Sequence, residues 1–393
     1  MVEFKGASDR YSLNLARSLS NLGIDLTLVS VEDCIREAFI PYKLINIFPR
    51  YGSTINRLIR FRKYLSAYLF VIRLAMQSPF KFVHFQYFRL LELDFIFWLI
   101  AKLLRFKIVY TAHNILPHEK KAYHRYLFKV FYCICDAIIV TSSFAGRQLE
   151  TEFGIKSDKI SVIPIGYAGP PVLPILSREE ARESLAIQSN AKLILFFGLV
   201  REYKGIDTLI KAVQIARDKI GDLRLLIAGD CSSEKLQQKY CSLVQELGIQ
   251  EAVDMRIGFV SDQDLPKYIG ASDIVVLPYK RASGHSGILF LAYHFSRPVI
   301  ATKVGGLIEA VKEGKSGYLV PPEDENALAN AIIEAFADRQ KLFSMGNYGR
   351  QTYEEIYSWD KIARATVEAY YRLVMKKRDQ ENLGSCFIAK SPK

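Results

Sequence analysis

The 393-residue chain has no run of about 18 or more uncharged apolar residues, which excludes a membrane-spanning helix. Its best stretch, Phe95 to Ala101, is short and flanked by Asp94 and Lys102. The N-terminus lacks a signal peptide's apolar core and cleavage site, so a cytoplasmic protein is expected. Six scattered cysteines (Cys34, Cys133, Cys135, Cys231, Cys241 and Cys386) show no zinc-type pairing with each other or with histidine. Reduced thiols are therefore expected rather than a disulfide framework or structural zinc. No GxGxxG follows a first strand, which argues against a nicotinamide oxidoreductase. Acidic residues are scarce in one region: residues 51–135 carry fourteen Lys or Arg against Glu92, Asp94 and Glu119, most of the chain's +12. The same region is rich in aromatic and aliphatic residues. It suits an anionic membrane surface, as a peripheral protein on the inner face of the cytoplasmic membrane. Helices with merely solvated charged faces are the alternative. Without a helix-turn-helix, RNP or zinc-finger pattern, nucleic acid is not expected as a partner.

What is present is a folded, half-hydrophobic chain too long for one core. Strands and helices alternate throughout, giving an α/β class with parallel sheets covered on both faces. Strands are expected at 24–30, 81–86, 107–114, 137–142 and 161–166. A Pro/Gly-rich stretch, 167–174, reads as a linker. The pattern restarts with strands at 192–198, 223–229 and near 253–260, 273–279, 298–304 and 317–321, with helices at 205–218 and 235–248. Expected domains are 1–172 and 177–357, then a helix over 358–377 and a disordered tail, 378–393. The opening is unusual. Leu15, Leu19 and Leu22 mark a helix that Gly23 ends, but the strand before Gly6 is missing or reduced to Val2-Glu3-Phe4. A natural start upstream, or a damaged domain, is the expectation; an upstream in-frame strand would support the first.

Chemistry concentrates at strand ends. Gly198 closes a strand and lets the backbone approach a ligand. Arg201 and Lys204 follow at the sheet's carboxyl edge, where ligands bind in open α/β sheets. Arg supplies a bidentate fork and Lys a point charge, together suited to a diphosphate. Cations at a helix start are unfavourable unless an anion intervenes. The loop Ser283-Gly284-His285-Ser286-Gly287 precedes another helix, where unpaired amides and the helix dipole form a phosphate cradle. Gly305-Gly306 permits a tight turn. His113, with Asn114 beside it, sits just after a strand; a structural role is the alternative to a ligand role. Asp262-Gln263-Asp264 looks like a metal-binding DxD, but Ser261 or Asp262 suits an N-cap there, so no catalytic metal is expected.

These motifs (FFGLVREYKG, SGHSGILFLAY, PVIATKVGG-x-x-E) resemble those of family 4 glycosyltransferases of the GT-B fold. The resemblance is strong over 192–322 and looser before. It implies two doubly wound Rossmann-like domains facing a cleft, with a C-terminal crossover helix packing back on the N-terminal domain. It implies retaining transfer of a sugar from a UDP- or GDP-sugar to a saccharide or lipid-linked acceptor, in polysaccharide or lipopolysaccharide synthesis. No cofactor is implied, the nucleotide-sugar being a substrate. Arg201, Lys204 and His113 take catalytic roles. Gly198, Val260, Ser283, His285, Ser286, Gly287, Gly305, Gly306 and Glu309 take the donor side, and Gly6 and Asn114 the acceptor side. His285 either bonds the sugar or is a surface loop histidine. Glu309 either binds ligand or caps the next helix, with capping favoured. The family's two motif glutamates fall at Ser283 and Leu291, so the variant lacks both carboxylates. A non-catalytic partner protein and a nucleotide-sugar epimerase are the rival readings; carboxylates for epimerase acid/base work are scarce.

Overall fold

The alternating pattern folds into two units, each built on parallel strands. The computed structural model describes residues 1–2, 10–32, 40–49, 56–78, 81–88, 91–116, 123–167, 169, 173–282 and 284–378. Gly6, Ser283, residues 168 and 170–172 of the linker stretch, and residues 379–393 of the tail lie outside them. One unit comprises Met1–Ile139, Leu149–Ile163 and the residues from Ala363 onward; the other comprises Val140–Gln148 and Pro164–Ile362.

In the first unit, α1 (Arg10–Asn21) buries Leu13, Leu15, Ala16 and Leu19 along one face. The chain turns at Gly23, where φ is 81°, a left-handed conformation that favours glycine. Then come β1 (Thr27–Val31), β2 (Lys43–Phe48), α2 (Arg57–Gln77), β3 (Phe82–Phe85), α3 (Leu91–Leu103), β4 (Lys107–Ala112), α4 (His124–Ile134), β5 (Ala137–Val140), α5 (Ser143–Phe153) and β6 (Ile160–Val162), with Val140–Gln148, and so the first part of α5, grouping with the second unit. β1 pairs with β2, and the other four run in the order β3-β4-β5-β6. Val2 lies between the two groups, bridging Val29 and Phe85 in parallel. Its N–H donates to the His84 carbonyl at 2.8 Å, and its carbonyl accepts from Gln86 N–H at 3.1 Å. Among the described residues, this one bridging residue occupies the central position where a first strand was expected. β2 is an addition: its short, Asn-interrupted run KLINIF carries a weak strand signal, and only Phe48 is fully buried.

From β2 onward the chain steps across the sheet in one direction, β2 to β3 to β4 to β5. Right-handed crossovers taken in one direction place α2, α3 and α4 on one face. The contacts agree. The Tyr64 and Tyr68 hydroxyls of α2 donate to Asp94 Oδ1 of α3 at 2.6 and 2.8 Å. Tyr68 stacks on Phe97, centroids 3.9 Å apart. Trp98, fully buried, lies 3.8 Å from the Phe131 ring of α4. No described helix is long and apolar enough to cross a membrane.

The second unit continues with α6 (Arg178–Ser184), β7 (Lys192–Phe197), α7 (Ile206–Arg217), β8 (Leu223–Gly229), α8 (Glu234–Glu246), β9 (Val253–Ile257), α9 (Leu265–Ala271), β10 (Ile274–Leu277), α10 (Gly287–His294), β11 (Val299–Thr302), α11 (Leu307–Ala310), β12 (Gly317–Val320), α12 (Glu325–Ala337) and α13 (Arg339–Thr352). α14 (Trp359–Arg378) follows, its residues from Ala363 grouping with the first unit. The strand order is β12-β11-β10-β7-β8-β9, all parallel. β7, β8, β10 and β11 are almost continuously apolar because helices cover both faces. At the amino edge Arg182, 1% exposed, pairs with Asp273 at 2.8 Å and donates to the carbonyls of Gln188, Ser189, Ala191 and Ala271. α9 starts differently from expectation. Its N-cap is Asp264, without a side-chain cap, and Ser261 Oγ instead donates to Asp264 Oδ2 at 2.7 Å. The three-residue DQD stretch forms the turn before the helix, and its last residue takes the N-cap position without a capping side-chain bond.

Candidate functional site

In an open parallel sheet, a crevice forms where neighbouring strands send their helices to opposite faces. In the second unit that place lies between β7 and β10, because the chain leaves β7 toward β8 and leaves β10 toward β11. The described segments at their carboxyl ends are 198–205, 278–282 and 284–287, which hold Gly198, Arg201, Lys204, His285, Ser286 and Gly287.

The backbones there are packed too closely for side chains. A Cβ on Gly205, where φ is 67°, would lie 2.0 Å from the Pro278 carbonyl oxygen. Gly198 has φ 109°, and its carbonyl oxygen would be 2.1 Å from a Cβ on Gly229, at the end of β8. Lys280 N–H donates to the Tyr203 carbonyl at 2.8 Å, tying the two segments together. The Lys280 ammonium pairs with Asp207 at 2.8 Å and Glu323 at 3.5 Å. Burial pulls its pKa down, but the two carboxylates outweigh this and hold it above the ordinary lysine value.

Lys204 is different. It is 9% exposed, with its ammonium 5.0 Å from the Tyr279 ring centroid and 6.0 Å from that of Phe196. It pairs with no carboxylate among the described residues. Aromatic faces attract a cation but do not neutralise it, so a partly desolvated positive charge awaits an anion. Arg201 sits three residues earlier on the exposed approach, likewise with no carboxylate partner among the described residues. Gly198 lies beside this charge, its Cβ position 3.6 Å from Lys204 Nζ and from Ile288. Tyr279 is the participant that sequence reasoning missed; its only signal was its place at the end of β10. Its hydroxyl also bonds Ser286 Oγ at 3.0 Å, holding the residue before α10. No side chain caps α10, so its first amides, at Gly287 and after, face the same edge.

Gly306 abuts the cradle from β11. Its Cβ position is 2.9 Å from Gly284 C and from His285 N, and its N–H donates to the Gly284 carbonyl at 3.3 Å. Gly305 precedes it with φ 49°. His285 is not a surface loop histidine: its side chain is 3% exposed under this turn. Its Nε2 is 3.3 Å from Glu309 Oε1, close enough for an ion pair but out of line for a hydrogen bond. Glu309 does cap a helix, though not the next one: both its oxygens accept from Ser143 N–H, at 2.9 and 3.2 Å, at the start of α5. Burial raises the Glu309 pKa, while His285 and Ser143 lower it further, for a net shift downward. Val260 is half-buried after β9, beside Phe259, which is 88% exposed. Leu291 is fully buried, so that position carries core packing rather than a ligand group.

In the first unit, His113 follows β4. It is half-buried, stacked on Tyr87 at 4.4 Å and edge-on to Tyr11 at 4.7 Å, with Nε2 3.2 Å from Gln86 Oε1. Asn114 beside it is exposed.

Comparison with known proteins addresses this arrangement directly. The family model for glycosyl transferases group 1 matches residues 177–352, and that for glycosyltransferase family 4 matches 8–167. A D-inositol 3-phosphate glycosyltransferase of Corynebacterium urealyticum is 30% identical over 293 residues, covering 70% of this chain and 68% of that protein. Among solved structures, a sucrose-phosphate synthase of Thermosynechococcus elongatus aligns with TM-score 0.75 and 22% identity, covering 95% of this chain and 99% of that one. HepE of Anabaena, crystallised with UDP and glucose, aligns with TM-score 0.73 and 18% identity, covering 94% and 98%. With its family regions matched in both halves and its fold shared end to end, this chain belongs to the group 1, family 4 glycosyltransferases, enzymes of the GT-B fold.

Proposed function

We propose that the protein transfers a sugar, with retention at the anomeric carbon, from a UDP- or GDP-sugar to a saccharide or lipid-linked acceptor in cell-surface polysaccharide or lipopolysaccharide synthesis. The observation that carries the donor assignment is Lys204, a buried ammonium with no carboxylate partner among the described residues, at the point where the strand order reverses. A nucleoside diphosphate supplies the missing negative charge. Arg201 takes the same group from the open side, and the first amides of α10, behind Ser286 and Gly287, take its oxygens. The bond from the anomeric carbon to the diphosphate oxygen breaks, and the acceptor oxygen bonds to that carbon on the same face. The acceptor's hydroxyl proton passes to a phosphate oxygen of the leaving diphosphate. Catalysis then rests on positioning and on stabilising the departing charge, with no metal required. The Corynebacterium relative is named for D-inositol 3-phosphate, a polar molecule.

Titration calorimetry with UDP, GDP and their sugars tests the donor site. One nucleotide binds in the micromolar range. Lys204→Met and Arg201→Ala each lower turnover by roughly 10²-fold, more than they weaken donor binding. An unchanged rate in both variants refutes the assignment. Buried Leu291, in place of a motif glutamate, favours the rival reading of a non-catalytic partner. That reading gains if a folded protein binds no nucleotide at all.

A further inference from the structure

We infer that the outer face of α2 and α3 is a docking surface for an anionic lipid bilayer. It rests on the lipid-linked acceptor proposed above for its purpose, but it is argued from residues of the first unit alone, none of them a donor-site residue. α2 buries Tyr64, Ala67, Tyr68, Val71 and Ala75. An ordinary surface helix would be polar on the opposite side. Here Leu58, Leu65, Leu69 and Met76 are 59%, 41%, 56% and 57% exposed. At 100° per residue they fall in one narrow stripe. On α3 the exposed residues are Ile96, Leu99, Ile100 and Leu103, at i, i+3, i+4 and i+7; Leu103 is 83% exposed. The two helices touch through Tyr64, Tyr68, Asp94 and Phe97 and lie on the same face of the sheet. Their stripes are therefore neighbours in one surface. Scattered exposed leucines need no explanation, but two adjoining apolar stripes do.

Charge selects the occupant. α2 contains Arg57, Arg60, Arg62, Lys63 and Arg73 and no acidic residue. Arg62 and Arg73 are exposed, flank the stripe, and form no ion pair among the described residues; the same holds for Arg105, just after α3. A second copy of this chain meeting the face about a two-fold axis would bring like charges together. An anionic bilayer instead accepts the leucines among its headgroups and acyl chains while the arginines pair with phosphates.

Co-sedimentation of the full chain with vesicles tests this. The protein binds phosphatidylcholine vesicles containing about 30% phosphatidylglycerol, whose negative surface potential attracts basic segments, and not pure phosphatidylcholine vesicles, and salt weakens the binding. Arg62→Glu/Arg73→Glu lowers the affinity by roughly 25-fold or more. Leu65→Ser/Leu69→Ser/Ile100→Ser/Leu103→Ser, all exposed positions, lowers it by at least about tenfold. Both variants keep the wild-type circular dichroism and nucleotide titration, since all the changed residues are exposed and none is a donor-site residue. Equal binding to the two vesicle types, wild-type binding by either variant, or a concentration-dependent dimer abolished by the serine variant overturns the inference. Vesicle binding by a protein that binds no nucleotide would leave it standing while sinking the donor assignment.

Discussion

At the scale of single residues, what matters at the donor site is how little room the backbone leaves. Gly205 holds φ 67° with the Pro278 carbonyl where a Cβ would be. Gly221, also in the second unit, faces open space. Gly205→Ala should therefore cost at least about 2 kcal/mol, from left-handed backbone and collision together. Gly221→Ala should stay within about 0.5 kcal/mol. Urea denaturation measures both, and equal midpoints would refute the close-approach argument. Because Lys204 precedes Gly205 directly, the first variant should also weaken nucleotide binding. The identity of the charged residues here was legible in the sequence, since Gly198, Arg201 and Lys204 follow a strand whose apolar run is unambiguous. Their environment was not. Nothing in a linear spacing says that Tyr279, just past a different strand, lies beside Lys204, or that His285 is enclosed by Gly306 rather than exposed on its loop. Burial of a loop residue is decided by what packs over it, and sequence spacing carries no record of that.

At the scale of elements, the second unit was more legible than the first because its strands are buried on both faces. Runs such as LILFF and IVVL admit one reading once glycines and polar turns bound them. β2 escaped notice because it is a half-covered strand of mixed character, and Asp264 rather than Ser261 begins α9 because Ser261 turns its hydroxyl to Asp264. Such choices between adjacent polar residues are settled by local hydrogen bonds of similar strength. A stronger element-level device is Arg182. From α6 it joins the start of β7 to the turn before β10 through Asp273 and four backbone carbonyls. Arg182→Met would leave those carbonyls and much of the carboxylate unmatched, at a cost of about 3 kcal/mol or more. Arg178 shares Asp273 at 2.9 Å but is less buried, so Arg178→Ala should cost about 1 kcal/mol or less. Comparable losses from the two variants, in thermal or urea unfolding, would mean that burial is not what gives the clamp its strength.

At the scale of the whole molecule, each unit encloses a histidine whose pKa burial depresses. In the first, His84 lies between Tyr370 Oη at 2.6 Å and Thr111 Oγ1 at 2.7 Å, and burial takes its pKa down to about 3. In the second, His294 stacks on Tyr167 and accepts from Arg350; burial first, and that guanidinium second, lower it to about 4. An unfolded chain would bind protons at both below about pH 6.5. Both folded values are depressed, so the associated stability is fully present above pH 6.5 and is lost as pH falls through the folded values. Two units with separate cores need not unfold together, so calorimetric scans at pH 7 and pH 5 are the suitable measurement. The melting transitions should move down together in the wild-type protein. His84→Gln keeps hydrogen-bonding capacity without a titrating ring, so it should reduce the acid shift of the transition belonging to the first unit alone. His294→Gln should do the same for the second. If acid lowers the transitions of both variants as far as those of the wild type, the buried histidines do not set the acid limit, and paired carboxylates such as Asp136 and Glu309, whose folded values are also depressed, take over that role at lower pH.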